Sequence, residues 1–287
     1  MLNEFLEQLK NKKSENTYLA YGRDLRAFEK YLKKDIVEAE NGEVVKYVLY
    51  LKKAGVSTAT INRKLSAIRA YFKFLMSKGL CEKDPTEGIK SPKIERKTLD
   101  YLSMDEVEKL LDATDGDTVK AMRDKAILEL LYATGMKVSE LLELKPEDVN
   151  LVVGFITCSG NHGAARIIPL GSMAKIAISN YIDNARDALL LTEEKDVPLF
   201  LNFYGTALTR QGIWKLVKQY GQEAGIEKEV TPQLIRNSFA AHMVLNGADV
   251  KTLQELLGNE DIMATQIYLS VKKTRIKDVY DKTFPRA

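Results

Sequence analysis

Apolar residues recur at steps of three and four through most of the chain, a spacing that predicts amphipathic helices. In TYLAYGRDLRAFEKYL the residues Tyr18, Tyr21, Leu25, Phe28 and Leu32 make one apolar face, with Ser14 and Thr17 both available as N-caps. Asn41-Gly42 reads as a break before a second helix, EVVKYVLYLKKAG. A third begins near Ser57/Thr58, buries Ile61, Leu65, Ile68, Phe72 and Leu75, and stops at Gly79. Asn62, Arg63, Lys64 and Arg69 fall largely on its other faces.

The pattern then lapses. Residues 84–97, DPTEGIKSPKIERK, combine two prolines, a glycine and a run of charges, so the domain boundary is placed there. The expected division is a helical domain over 1–90, a linker over 91–97 and a second domain over 98–287. The second part opens with a Ser103-capped helix, SMDEVEKLLDAT. A long apolar helix, AMRDKAILELLYATG, is closed by Gly135, and a short one, VSELLELK, follows. In GFITCSGNHGAARIIPL, two β-rich arms flank a glycine-containing turn, which predicts a β-hairpin. Further helices start near Thr209, Thr231 and Asp249. The expected class is mostly α with a small antiparallel β-sheet, in two domains.

Charge changes this picture more than composition does. The net +3 is unremarkable, but residues 1–97 hold 21 Lys+Arg against 13 Asp+Glu, and the remainder 22 against 27. A basic first part beside an acidic second part fits either a polyanion partner or an ordinary solvated surface. The two cysteines, Cys81 and Cys158, form neither a metal-ligand cluster nor a disulfide framework. The charged start, MLNEFLEQLKNKK, is unlike a secretory signal, and no run reaches the roughly 18 apolar residues of a membrane span. A cytoplasmic location is expected.

Glycine-rich phosphate loops and metal-spaced His/Cys/carboxylate sets are lacking, so no cofactor or metal is expected. Chemistry concentrates in TPQLIRNSFAAHM and LQELLGNEDIMATQIY. Thr231 can cap a helix with Pro232 in its first turn, setting Gln233 and Arg236 on one face near the positive helix end, a place suited to phosphate. Tyr268 follows after the Gly258 break and a further helix. With LLYATGMKVSEL, ARIIPLG, TINRKLSAIRAYFKFL and DPTEGIKSPK, the order and spacing resemble the tyrosine recombinase (phage integrase) family, in particular its Xer-like branch. The match spans nearly the whole chain.

That resemblance implies a C-shaped clamp on duplex DNA, with a core-DNA-binding domain and a catalytic-type domain. It also implies attack of a tyrosine hydroxyl on a phosphate to give a 3′-phosphotyrosyl link, without metal or ATP. Tyr268 matches the nucleophile and Arg236 the second arginine. The first arginine falls on Lys137, the hairpin lysine on Asn161 or its neighbour His162, and the two histidine-type positions on Gln233 and Asn259. Lys137 keeps a charge but not the planar fork, and the amides cannot shuttle protons. Two readings stay open for Lys137, phosphate ligand or solvated residue. Two also stay open for His162, substitute acid or exposed turn residue. His242, in an apolar stretch, reads as a core histidine. Arg63, Lys64 and Arg69 match a DNA-facing helix, with a solvated face as the competing reading; Thr58, Asn62, Lys93 and Arg96 are expected DNA contacts with them.

Losing one transition-state donor costs about 10²–10³ in rate. The expected function is therefore a DNA-binding protein with catalysis lost or strongly reduced, a repressor or architectural factor. The alternative is an active site-specific recombinase working through Tyr268, and a third reading is a protein-interaction module that has left DNA. The C-terminal segment VKKTRIKDVYDKTF resembles the family's last helix, which implies self-association on DNA, as a tetramer if the protein recombines and a dimer otherwise.

Overall fold

The structure, a computed structural model, describes residues 1–12, 15–93, 99–159, 165–191, 197–259 and 261–271. The chain forms two compact units, Met1–Lys97 and Thr98–Ala287. It is mostly helical, with a small three-stranded antiparallel sheet.

The first unit holds α1 (Leu2–Lys10), α2 (Glu15–Leu32), α3 (Asn41–Lys53) and α4 (Thr58–Ser77). The apolar stripe of α4 is buried throughout and meets Leu25 and Phe28 of α2 and Val44 and Tyr47 of α3. The Ser57 hydroxyl caps α4 by accepting the Thr60 N–H at 3.3 Å. Asn41 and Gly42 prove to be the first turn of α3 rather than a break before it, because the Glu43 carboxylate accepts the Glu40 N–H at 2.9 Å and the helix starts two residues earlier than expected. The Asn41 amide reaches across to the carbonyls of Pro85 and Glu87, both at 3.0 Å. Thr17 sits inside α2, while Ser14 lies outside the described residues.

The second unit opens with α5 (Met104–Asp112), capped reciprocally by Ser103 and Glu106. Next comes α6 (Val119–Thr134), which is largely buried and contributes Ala126, Ile127, Leu128, Leu130 and Leu131 to the core. It ends at Gly135 in the left-handed region (φ 57°), where an added Cβ would lie 2.3 Å from the Phe239 ring. Then follow α7 (Val138–Glu143) and the sheet, β1 (Val149–Asn150), β2 (Phe155–Cys158) and β3 (Arg166–Pro169), in the order β1-β2-β3. The hairpin pairs Phe155 with Pro169 and Cys158 with Arg166; Ile156 and Cys158 face the core. The third strand is an addition to the expected hairpin. It is two residues long, too short for any periodicity to show.

Helices α8 (Ser172–Tyr181) and α9 (Asp187–Leu189) are joined by a π-turn. Beyond them α10 (Arg210–Glu223), α11 (Pro232–Leu245) and α12 (Val250–Leu257) are capped by Thr209, Thr231 and Asp249, each through a side-chain oxygen. The described chain closes with α13 (Ile262–Gln266) and the turn that carries Tyr268. No helix among the described residues is long and apolar enough to cross a membrane.

Candidate active site

The site is built where α6, α11 and α12 meet. Thr231 Oγ1 accepts the Leu234 N–H at 3.0 Å and fixes the start of α11, from which Arg236 points inward with 6% of its surface exposed. Its Nη1 donates to the Gly135 carbonyl at 2.6 Å; Nη2 donates to the Leu257 carbonyl at 2.9 Å and to Asn259 Oδ1 at 3.0 Å. Gly135 and Gly258 both end their helices in left-handed turns, which leaves carbonyls at the negative helix ends free for a cation. Burial pulls the Arg236 pKa below its usual 12.5, opposed by Tyr268 and Glu140 nearby. An arginine stays protonated through such a shift.

Tyr268 is 3% exposed and packs with Phe239, Val244, Leu253 and Leu257. Its hydroxyl donates to Asn237 Oδ1 at 3.2 Å. Burial raises the phenol above its usual 10.0, with the Arg236 charge pulling the other way. The same Asn237 oxygen accepts Gln233 Nε2 at 2.9 Å, and its Nδ2 donates to the Asp100 carbonyl at 3.1 Å. Asn259, besides accepting from Arg236, donates Nδ2 to the buried Thr265 hydroxyl at 3.1 Å. Asn237 thus joins Gln233 to Tyr268, Asn259 is bonded to Arg236, and Arg236 interacts with Tyr268, so the four share one neighbourhood; Asn237 is the member that sequence reasoning missed although it adjoins Arg236.

Lys137 lies two residues past the Gly135 seat and is the N-cap residue of α7. Its backbone N–H donates to Glu140 Oε2 at 2.8 Å. Glu140 is gripped by Arg166 through two hydrogen bonds, 2.8 and 2.7 Å, and Arg166 Nε donates to the Leu256 carbonyl at 2.9 Å. Burial alone would raise the Glu140 carboxyl; the Arg166 hydrogen bonds and the Lys137 N–H outweigh it and hold the group below its usual range. This pair ties α7, β3 and the end of α12 together. Both partners stand inside the motif segments VSEL and ARIIPLG, but nothing local marks them as a pair. Asn161, His162 and the segment over 272–287 lie outside the described residues.

His242 is buried, as expected of a core histidine: its Nδ1 is 2.9 Å from the Tyr132 hydroxyl, and burial lowers its pKa below 6.5. Among the described residues, no group of three or more His, Cys, Asp or Glu could hold a metal ion.

On α4 the expected contact residues are engaged within the first unit. Arg63 Nη1 and Lys64 Nζ both pair with the buried Asp24 of α2, Lys64 at 3.1 Å. Asn62 Nδ2 donates to the Pro92 carbonyl at 3.0 Å, and Arg69 donates to the Ser91 hydroxyl at 2.9 Å and to the Ile89 carbonyl. Thr58 is half-buried at the start of α4 and Lys93 is exposed, while Arg96 lies outside the described residues.

Fold and site together define a helical two-unit protein with an arginine–tyrosine centre. The phage integrase family profile matches residues 100–275, and the profile of the phage integrase N-terminal SAM-like domain matches residues 2–79. The chain belongs to the tyrosine recombinase (phage integrase) family, in its Xer-like branch. It is 43% identical over 279 residues to tyrosine recombinase XerD of Oceanobacillus iheyensis, covering 96% of this chain and 94% of that protein. It is 41% identical over 294 residues to tyrosine recombinase XerD of Listeria innocua, covering 100% of this chain and 99% of that protein. Among solved structures, XerH recombinase bound to a palindromic difH substrate superposes with a TM-score of 0.77 at 22% identity, over 97% of this chain and 82% of that one; at that identity the likeness is one of fold. XerA recombinase matches with a TM-score of 0.57 at 26% identity, covering 100% of this chain and 98% of that one.

Proposed function

We propose that this protein binds duplex DNA on a site-specific recombinase scaffold and that strand cleavage at Tyr268 is lost or strongly reduced. In this reading the first unit is the core-DNA-binding domain and the second the catalytic-type domain, with Arg236 and Lys137 receiving a backbone phosphate. The observation that carries it is the company kept by the centre. Apart from the interaction of Arg236 and Tyr268 with each other, the groups hydrogen-bonded to either among the described residues are amides and backbone carbonyls, which neither take up nor release a proton near neutrality. Cleavage needs a proton delivered to the departing 5′-oxygen and one removed from the phenol. Burial of Tyr268 works against the second of these. Phosphate binding needs only fixed cations and donors, which Arg236, Lys137 and Gln233 supply.

The second reading, an active recombinase, is supported by identity above 40% to XerD-named proteins over the full chain and by the adjacency of Arg236 and Tyr268. One experiment separates them. Genomic fragments bound by the protein are recovered, and the preferred site is prepared with a nick that traps any covalent intermediate. The expected outcome is retention of that site over random duplex with no protein–DNA adduct. An adduct that disappears in Tyr268→Phe would establish the active reading. No preference for any duplex at moderate salt would sink both. Self-association on a two-half-site DNA, through the segment over 271–284, belongs to the same proposal and is read from the stoichiometry of the complex.

A further inference from the structure

The carboxylate of Asp24 lies on the inner side of α2 and is 3% exposed. A buried carboxylate is stable only when paired, and here the partners are two consecutive residues of α4, Arg63 and Lys64. Consecutive helical residues point about 100° apart, so their long side chains must be drawn together to meet one carboxylate. They do not meet it equally. The Lys64 side chain is 15% exposed and its ammonium points into the pair; the Arg63 side chain is 42% exposed and gives one Nη to Asp24. An arginine has five N–H donors in a rigid fork, so Arg63 can stay on Asp24 and still present donors outward.

We infer that Asp24 is a specificity-determining residue: it withholds Lys64 from DNA as an internal counter-ion and orients Arg63 as the phosphate contact of α4. The inference rests on the DNA-binding reading above. Two cations against one carboxylate leave a single surplus positive charge, carried on a side chain of fixed direction. Without Asp24 both cations are free and mobile, which favours any polyanion. Binding to random duplex then gains while discrimination falls, since sequence-independent affinity grows with the number of phosphates neutralised.

The test measures binding of the full chain to its preferred site and to random duplex across a salt series. Each neutralised phosphate contributes a slope of about 0.9 in log affinity against log salt. D24N is expected to steepen the random-duplex slope by about that amount, so that the loss between about 50 and about 200 mM salt deepens roughly three- to fourfold. It also narrows the ratio of preferred to random affinity. Adding Lys64→Met to D24N should return the slope to the wild-type value. Should D24N not fold, Arg63→Met and Lys64→Met in the otherwise unchanged chain decide the matter: the first flattens the slope by about 0.9 and the second by less than half as much. An unchanged slope in a folded D24N protein, or equal flattening by the two single substitutions, would overturn the inference while leaving DNA binding intact. A wild-type chain that binds no duplex in a salt-dependent way would overturn the DNA-binding reading itself, and this inference with it.

Discussion

Two buried arginines of the second unit, Arg123 and Arg236, are 5% and 6% exposed and hold opposite positions electrically. Arg123 donates Nε and Nη2 to Asp124 Oδ1 at 2.9 and 2.8 Å and Nη1 to the Leu201 carbonyl at 3.1 Å, and the Phe203 ring lies 5.0 Å from its guanidinium carbon. Asp124 in turn accepts Lys120 and the Tyr220 hydroxyl. That region is charge-saturated, and its work is internal cohesion. Arg236 has carbonyls and an amide oxygen instead, and the nearby Glu140 carboxylate is spent on Arg166. A buried guanidinium that no carboxylate pairs directly keeps its charge available, which is what the proposed phosphate contact requires. Burial alone does not separate the two cases; the formal charge of the hydrogen-bond partner does.

The contrast can be pressed hardest by giving Arg236 neighbours that titrate. The triple substitution K137R, Q233H and N259H is expected to raise covalent adduct on a nicked site by at least about 10³-fold, since single donors are worth about 10²–10³. A trapped-adduct gel reads it directly, and no gain at all would mean that Tyr268 cannot reach the phosphate. Next in size, Arg123→Met should cost roughly 3 kcal/mol in urea unfolding, the penalty of leaving the buried Asp124 with fewer partners. Arg236→Met orphans carbonyls rather than a charge, so its stability cost should be about 1–3 kcal/mol, while affinity for duplex DNA falls at least tenfold by the rough worth of a charge-assisted contact. A larger stability cost for Arg236→Met than for Arg123→Met would reverse the assignment.

The smallest effect concerns pH. His242 is held neutral by burial, so its folded pKa is below 6.5. The unfolded chain binds the extra proton first, and stability therefore falls as pH drops below 6.5, by at most about 1.4 kcal/mol per pH unit for one group. Glu140, whose folded pKa lies below 4.5, contributes stability that is present above that value and lost as acid drives the pH through the depressed one. Stability measured from pH 7 to 4 should lose its upper slope in His242→Gln and keep the lower one.

What was legible in the sequence was local. Caps at Ser57, Ser103, Thr209, Thr231 and Asp249 announce themselves because the capping oxygen and the N–H it accepts are two or three residues apart. The stripe on α4 is legible because burial imposes its period. Pairs distant along the chain left no such mark: Asp24 meets Arg63 and Lys64 about 40 residues on, and Glu140 meets Arg166 after 26. Arg236 and Tyr268 stood out through their motif, yet their burial, the Gly135 and Leu257 carbonyls and the Asn237 bridge needed the fold. The α4 residues expected as DNA contacts show the same limit. Their positions on the helix were clear, but the internal partners of Asn62, Arg63, Lys64 and Arg69 were not.

The seat of Arg236 has one further consequence. Two of its three partners are main-chain carbonyls, at Gly135 and Leu257, and a carbonyl is present whatever side chain its residue carries. Drift can therefore exchange the side chains around the centre without unseating the arginine. Displacing the arginine itself would require rebuilding the ends of two helices.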